Sequence, residues 1–239
     1  MEKLLNLLFP SKCLICKTGW GLICQDCLNE TPLSENQICL VCGRPSENGV
    51  THVKCVKETS PKQFISFFEY EDSVRKCIRL SKYHRKYFSL IKDLAKHAFR
   101  EAVWLDNQMY KNYIVVPIPL SKEKLKLRGF NQAEKLAELV AKSLNLKMNT
   151  RFLKRVRNTK TQYQMTRIER FENLKNAFEA DAKMIENRNI LLVDDICTTG
   201  ATFLSASEEL SKAGAENIIC LSLCTRFLRR AVKKVPEDI

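Results

Sequence analysis

The sequence predicts an α/β protein: a parallel sheet flanked by helices, with a small metal-binding module in front of it. Three observations carry that prediction. Cysteines crowd the first quarter of the chain in evenly spaced pairs. Two later stretches each read as an apolar strand, a polar loop and an amphipathic helix, the unit that builds parallel sheets. One of these, Asn189 to Thr202, joins strand to helix through two carboxylates, threonines and a glycine.

Composition sets the bounds. At 239 residues the chain can bury one full core and carry a small appended module. Apolar residues make up 45% and charged residues 28%, ordinary for a soluble globular protein. The formal net charge of +13 is not ordinary, and it points to an anionic partner, either phosphorylated substrates or nucleic acid. No apolar run approaches the roughly 20 residues that span a bilayer. Met1 to Pro10 carries five apolar residues behind one lysine and lacks a small-residue cleavage site. It reads as a short amphipathic helix rather than a secretory signal, and the protein is expected in the cytoplasm.

Of eleven cysteines, seven lie between Cys13 and Cys55. With His52 they form four pairs of identical spacing: Cys13/Cys16, Cys24/Cys27, Cys39/Cys42 and His52/Cys55. Two intervening residues let a tight turn aim both side chains at one tetrahedral ion, so eight ligands predict two zinc ions. A closed four-ligand shell leaves no place for water, which makes both sites structural. Which pairs share an ion is not fixed by the spacing. With few apolar residues of its own, the module, residues 1–60, is expected to depend on metal for folding, ahead of a larger domain at 61–239.

From Gln63 to Tyr70 an aromatic-rich run predicts a strand, and Glu71 and Asp72 open a helix through Val74, Cys77 and Ile78. A second helix is expected from about Ser89 to Trp104. Tyr113 to Pro119 is the next strand, its ladder ended by Pro117 and Pro119, which lack a backbone donor. Ser121 to Leu127 reads as a charged loop. Asn131 then caps a helix whose apolar face is Ala133, Leu136, Ala137, Val140 and Leu144. This unit sets Arg128 and Gly129 near a helix N-terminus, suited to a second anion. Residues 152–178 are the most basic stretch, expected as a flexible loop before Arg167, a helix to Leu174 and an extended segment from Asn176. Such a loop suits a lid over a polyanion or a track for a nucleic-acid backbone. Lys82 is either a phosphate ligand or a solvated lysine, and Thr225 to Lys234 a solvated basic tail.

The Asn189 stretch holds the chemistry. After its apolar strand come Asp194 and Asp195, then Thr198, Thr199, Gly200, Ala201 and Thr202, leading into a helix to Ala213 that Gly214 closes. Backbone N–H groups and the helix dipole converge on an anion there, and threonine hydroxyls add donors. The carboxylates would repel phosphate and need a cis-diol or a cation. A sugar phosphate meets both demands.

Asp-Asp-x-x-Thr-Thr-Gly-x-Thr after a hydrophobic strand resembles the phosphoribosyl-pyrophosphate signature of type I phosphoribosyltransferases. The resemblance implies that Asp194 and Asp195 hold the ribose 2′ and 3′ hydroxyls, that Thr198 through Thr202 wrap the 5′-phosphate, and that Mg²⁺ accompanies the ligand. It also implies a pyrophosphate site in the loop after an early strand, where Arg128 and Gly129 lie. Taken with the cysteine pairs, several further motifs resemble the ComF (competence protein F) family over nearly the whole chain. They are Val116-Pro117-Ile118-Pro119, Arg128 to Gln132, Thr161-Gln162, Arg170 with Asn173, and Asn176-Ala177-Phe178. That family implies a double zinc ribbon followed by a type I phosphoribosyltransferase domain, and a role in natural competence with single-stranded DNA and other competence proteins. Thr198 stands where purine-salvage transferases carry an acidic general base, so the motif implies a ligand without naming a catalyst. The alternative is a transferase of nucleotide metabolism moving ribose 5-phosphate to a nitrogenous acceptor.

Overall fold

The computed structural model describes residues 12–83, 87–102, 105, 107–157 and 167–226. The strands are β1 (Gln63–Glu69), β2 (Tyr113–Pro117), β3 (Lys147–Met148), β4 (Leu153–Arg155), β5 (Phe178–Ala180), β6 (Asn189–Cys197) and β7 (Asn217–Thr225). The helices are α1 (Gln25–Asn29), α2 (Asp72–Tyr83), α3 (Phe88–Glu101), α4 (Asn107–Tyr110), α5 (Lys122–Arg128), α6 (Gln132–Ser143), α7 (Arg167–Leu174), α8 (Ala182–Ile185) and α9 (Ala201–Lys212). Five strands form one sheet in the order β1-β7-β6-β2-β3, and every neighbouring pair in it is parallel. β4 and β5 pair antiparallel beside it.

Parallel strands with helices on both faces read as continuous apolar runs, and β6 shows why. Leu191 and Val193 enter one core cluster with Leu90, Leu94, Leu136 and Val140 from α3 and α6. Ile190 and Leu192, one step out of phase, enter the other with Phe203, Ala206 and Leu210 from α9. Cys77, Cys220 and Cys224 are fully buried small hydrophobes, and burial pushes the Cys77 and Cys220 thiols up to about 12.

β1 is an edge strand, and the cysteine-rich segment covers it. Gln37 acts as a one-residue strand: its Oε1 accepts from Ser66 N–H at 3.0 Å and its Nε2 donates to Ser66 O at 3.0 Å. Ser34 N–H donates to Phe67 O, and Thr51 N–H to Lys62 O. This satisfies backbone groups that an open edge would offer to another chain. Gly49, at φ +74°, comes so close that a Cβ on it would sit 1.9 Å from Phe64 O. The segment also straddles the edge. Ile23, Cys24 and Leu28 join the α3 side, where His97 Nε2 lies 3.1 Å from Thr31 O, while Ile38 and Leu40 join the α9 side.

Three expectations change in the structure. The charged stretch after β2 is helix α5, because Ser121 Oγ caps it by accepting from Lys124 N–H and Gly129 closes it at φ +75°. Its only large apolar residues, Leu125 and Leu127, are exposed, so there is no buried face to betray it. Within the basic stretch expected to be loop, Leu153 to Arg155 form β4, paired with β5. Thr225, assigned to a solvated tail, is buried at the end of β7. The N-terminal amphipathic helix and Thr161-Gln162 fall outside the described residues. Among the described residues no helix is long and apolar enough to cross a membrane.

Candidate functional site

The cysteine pairs meet in consecutive order, which spacing alone left open. Cys13, Cys16, Cys24 and Cys27 form one cluster and Cys39, Cys42, His52 and Cys55 the other, with all ligand atoms of each within 4.8 Å of one another. A tetrahedral shell with Zn–S near 2.3 Å puts sulfurs roughly 3.8 Å apart. Cys13 and Cys27 Sγ are 3.8 Å apart, and Cys16 and Cys24 Sγ 3.7 Å. In the second cluster His52 Nδ1 lies 3.4 Å from Cys42 Sγ, while its Nε2 lies 3.1 Å from Pro45 O. A proton on Nε2, donated to that carbonyl, leaves the Nδ1 lone pair for a metal.

The electrostatics ask for a cation. A hydroxyl hydrogen bond from Thr18 and an N–H from Gly19 hold the Cys16 thiol down at about 5. Burial, with three neighbouring sulfurs, pushes Cys27 up instead. Four thiols this close ionise together only around a positive charge, so the donor set fits zinc. Zinc here supplies cross-linking, and the chain's own N–H groups at Ile15, Gly19, Cys24 and His52 point at sulfur to support the thiolates.

At the carboxyl ends of β6 and β2 the sheet opens into a cleft of about 320 Å³. Ligand sites in open α/β sheets lie at these strand ends. β6 delivers Asp194 and Asp195 to its floor, and the turn after it brings Thr198, Thr199, Gly200, Ala201 and Thr202 along one wall. Gly200 is the N-cap of α9 at φ +76° and has no side chain to cap it; Thr199 Oγ1 accepts from Ala201 N–H at a long 3.5 Å, and the first turn of the helix lines the cleft. Asp195 is 7% exposed, and Lys82 Nζ lies 3.2 Å from its Oδ2. Among the described residues Oδ2 meets no hydrogen-bond donor besides that ammonium, which leaves it room for a further one. A buried acceptor in that condition fits a ribose hydroxyl. Burial and the neighbouring Asp195 charge raise the pKa of Asp194.

Against the two carboxylates stand six basic side chains: Lys82, Lys124, Arg128, Arg155, Arg170 and Arg226. Burial lowers the Lys82 ammonium, but the charges of Asp195 and Asp194 and the contact with Asp195 together outweigh it and leave the group above its ordinary value. Burial and the nearby Arg155, Arg128 and Lys82 charges lower Lys124, and burial lowers Arg155. So many cations in one cleft are at odds with one another until an anion enters. Arg170 Nη1 donates to Thr198 Oγ1 at 2.7 Å, Arg155 lies over the Phe178 ring and Arg226 over the Tyr70 ring.

Of the residues singled out in the sequence, the Asp194–Thr202 set and Arg128 line this one cleft. Gly129 is not among its lining residues. It closes α5, while Arg128, the last residue of that helix, donates to Gln132 Oε1 at 3.2 Å. Lys124 and Arg226 join the site from stretches read as loop and tail, and Arg155 from the supposed flexible segment. Their charge was visible, but only the fold brings them together.

Two domain families match the chain: a double zinc ribbon domain over residues 4–56 and a phosphoribosyl transferase domain over residues 91–238. Competence protein ComFC of Bacillus subtilis (strain 168) is 30% identical over 207 residues, covering 80% of this chain and 79% of its own. Competence protein F of Haemophilus influenzae is 37% identical over 106 residues, 44% of this chain and 46% of its own. DNA utilization protein YhgH of Escherichia coli (strain K12) is 26% identical over 229 residues, 91% of this chain and 98% of its own.

Proposed function

The chain belongs to the competence protein F/ComFC family, a double zinc ribbon joined to a phosphoribosyltransferase domain, and from that premise we propose that it binds phosphoribosyl pyrophosphate and serves the uptake and handling of single-stranded DNA in natural competence. The observation that carries the ligand is the pairing, in one cleft, of a buried carboxylate oxygen that among the described residues meets only the Lys82 ammonium with a helix N-terminus whose N-cap is a glycine. Asp194 and Asp195 accept from the ribose 2′ and 3′ hydroxyls. Thr198 to Thr202 donate to the 5′-phosphate through backbone N–H groups and hydroxyls. Lys124, Arg128 and Arg155 face the pyrophosphate, with Gly129 giving the turn that aims Arg128. Mg²⁺ bound with the ligand neutralises part of the pyrophosphate charge. On this reading the metal module is residues 1–60, the ligand domain is 61–239, and the protein acts in the cytoplasm.

The DNA role rests on what the relatives are named for and on the net charge of +13. Transfer to a nitrogenous acceptor is favoured by one further feature. A smaller cavity of about 190 Å³ adjoins Thr198, lined by Glu69, Tyr70 and Glu71 among others, and could seat a planar base.

Calorimetry with phosphoribosyl pyrophosphate and Mg²⁺, repeated with a short single strand present, tests both halves. The wild type binds, and Asp195→Asn weakens binding by about 10- to 100-fold through loss of a charged acceptor. Normal affinity in that variant removes the site assignment. Competition by the strand puts DNA in the cleft, independent binding puts it elsewhere, and no strand binding at low salt removes the DNA role.

A further inference from the structure

The turn that receives the phosphate rests on the second metal cluster. A Cβ placed on Gly200 would stand 3.0 Å from Leu40 Cδ1, 3.2 Å from Leu40 O and 3.3 Å from Leu40 Cγ. Both the backbone and the side chain of Leu40 therefore abut the one residue of the cradle held in the left-handed region. Leu40 is fully buried and lies in the turn between two ligands, Cys39 and Cys42. That turn is tied by Gly43 N–H donating to Cys39 O at 2.7 Å and Cys39 N–H to Arg44 O at 2.9 Å. Ala201 and Phe203, which follow Gly200 into α9, belong to the same apolar cluster as Leu40.

We propose that Leu40 is a positioning residue: carried on the metal-ligand turn of the second ribbon, it holds the Thr198–Thr202 loop in its anion-binding form. Among the described residues the one side-chain hydrogen bond across Gly200, from Ala201 N–H to Thr199 Oγ1, is long at 3.5 Å, so packing against Leu40 bears on the conformation of the turn. Close-packed contacts transmit displacement, and a shift of the Cys39–Cys42 turn moves the floor beneath Gly200. Zinc in that ribbon thereby controls the cradle at a distance, without touching ligand. The binding consequence rests on the sugar-phosphate reading of the cleft; the mechanical coupling does not.

The test uses the full chain as wild type, Leu40→Ala, Leu40→Val and, as a control from the first ribbon, Leu28→Ala. Amide hydrogen exchange across residues 199–204, zinc content, and titration with phosphoribosyl pyrophosphate and Mg²⁺ are measured on each. Leu40→Ala is expected to keep both zinc ions, to speed exchange in that segment roughly tenfold and to weaken binding in proportion. Leu40→Val gives a smaller change of the same sign, and carries the test if the alanine variant does not fold. Leu28→Ala leaves the segment as in wild type. Wild-type exchange in both Leu40 variants, or equal acceleration in Leu28→Ala, overturns the coupling. If the wild type binds no phosphoribosyl pyrophosphate but exchange responds to Leu40, the sugar-phosphate reading falls and the coupling stands.

Discussion

The two metal clusters share a spacing but not a task. The first is built from four cysteines and backs onto α3, among Leu90, Leu94 and Ala98, on the face of the sheet away from α9. The second uses three cysteines and His52, and sends Ile38 and Leu40 to the opposite face, beneath the Thr198–Thr202 turn. One cluster closes a core and the other also packs beneath a turn of the candidate site. The local motif decides that a metal binds; the surface it is packed against decides what the metal controls.

The largest expected effect separates these roles directly. Cys39→Ser removes a fully buried ligand of the second cluster, and structural zinc contributes about 10 kcal/mol or more to its folded ligand set. That variant should retain one zinc and lose detectable phosphoribosyl-pyrophosphate binding. Cys16→Ser, at an exposed ligand of the first cluster, should also lose one zinc, yet bind within about threefold of wild type because nothing beneath the cradle has moved. Metal analysis and calorimetry on the two variants decide it. Equal losses of binding would mean that the ribbons act as one unit.

Much of this was legible in the sequence, and what was not has a physical reason. Cysteine spacing within a pair is local and so was readable, whereas the pairing of pairs depends on where the chain goes between them. Asp194 to Thr202 sits on one strand and one turn, so its grouping survives any uncertainty about topology. Lys124, Arg155 and Arg226 come from three separate elements, and only the sheet order brings them to one cleft. α5 was readable in principle through Ser121 and Gly129, but its exposed leucines gave no amphipathic pattern. The shared core of ribbon and sheet was hidden for a different reason. A segment poor in apolar residues reads as independent, yet its few large side chains are spent on the neighbour's core.

A middle-sized effect probes where that neighbour begins. Gly49→Ala places a methyl 1.9 Å from Phe64 O at a left-handed backbone position, so the ribbon must lift from β1 or the strand must bend. Destabilisation by about 3 kcal/mol or more is expected in denaturant unfolding, with a fall in melting temperature. If the ribbon behaved as a tethered, separate unit, the same change would leave sheet stability untouched.

The smallest effect is a slope in pH, and it tests the cradle without disturbing either ribbon. Burial and the Asp195 charge both disfavour ionised Asp194, so its pKa in the folded protein is raised. Stability lent by a raised acid is complete below about pH 4 and is lost as pH climbs through the raised value. Ribose hydroxyls donating to the carboxylate reverse that preference, so binding expels a proton. Affinity should therefore rise with pH across this window, by at most about tenfold per unit, and level off above it. Calorimetry in buffers of different ionisation heat, between about pH 5 and 9, should show up to about one more proton released by wild type than by Asp194→Asn. Ionisation of the ligand's own phosphates is common to both proteins and cancels in the difference. Equal release from the two would show that Asp194 keeps its proton on binding, and would leave the ribose contact to Asp195 alone.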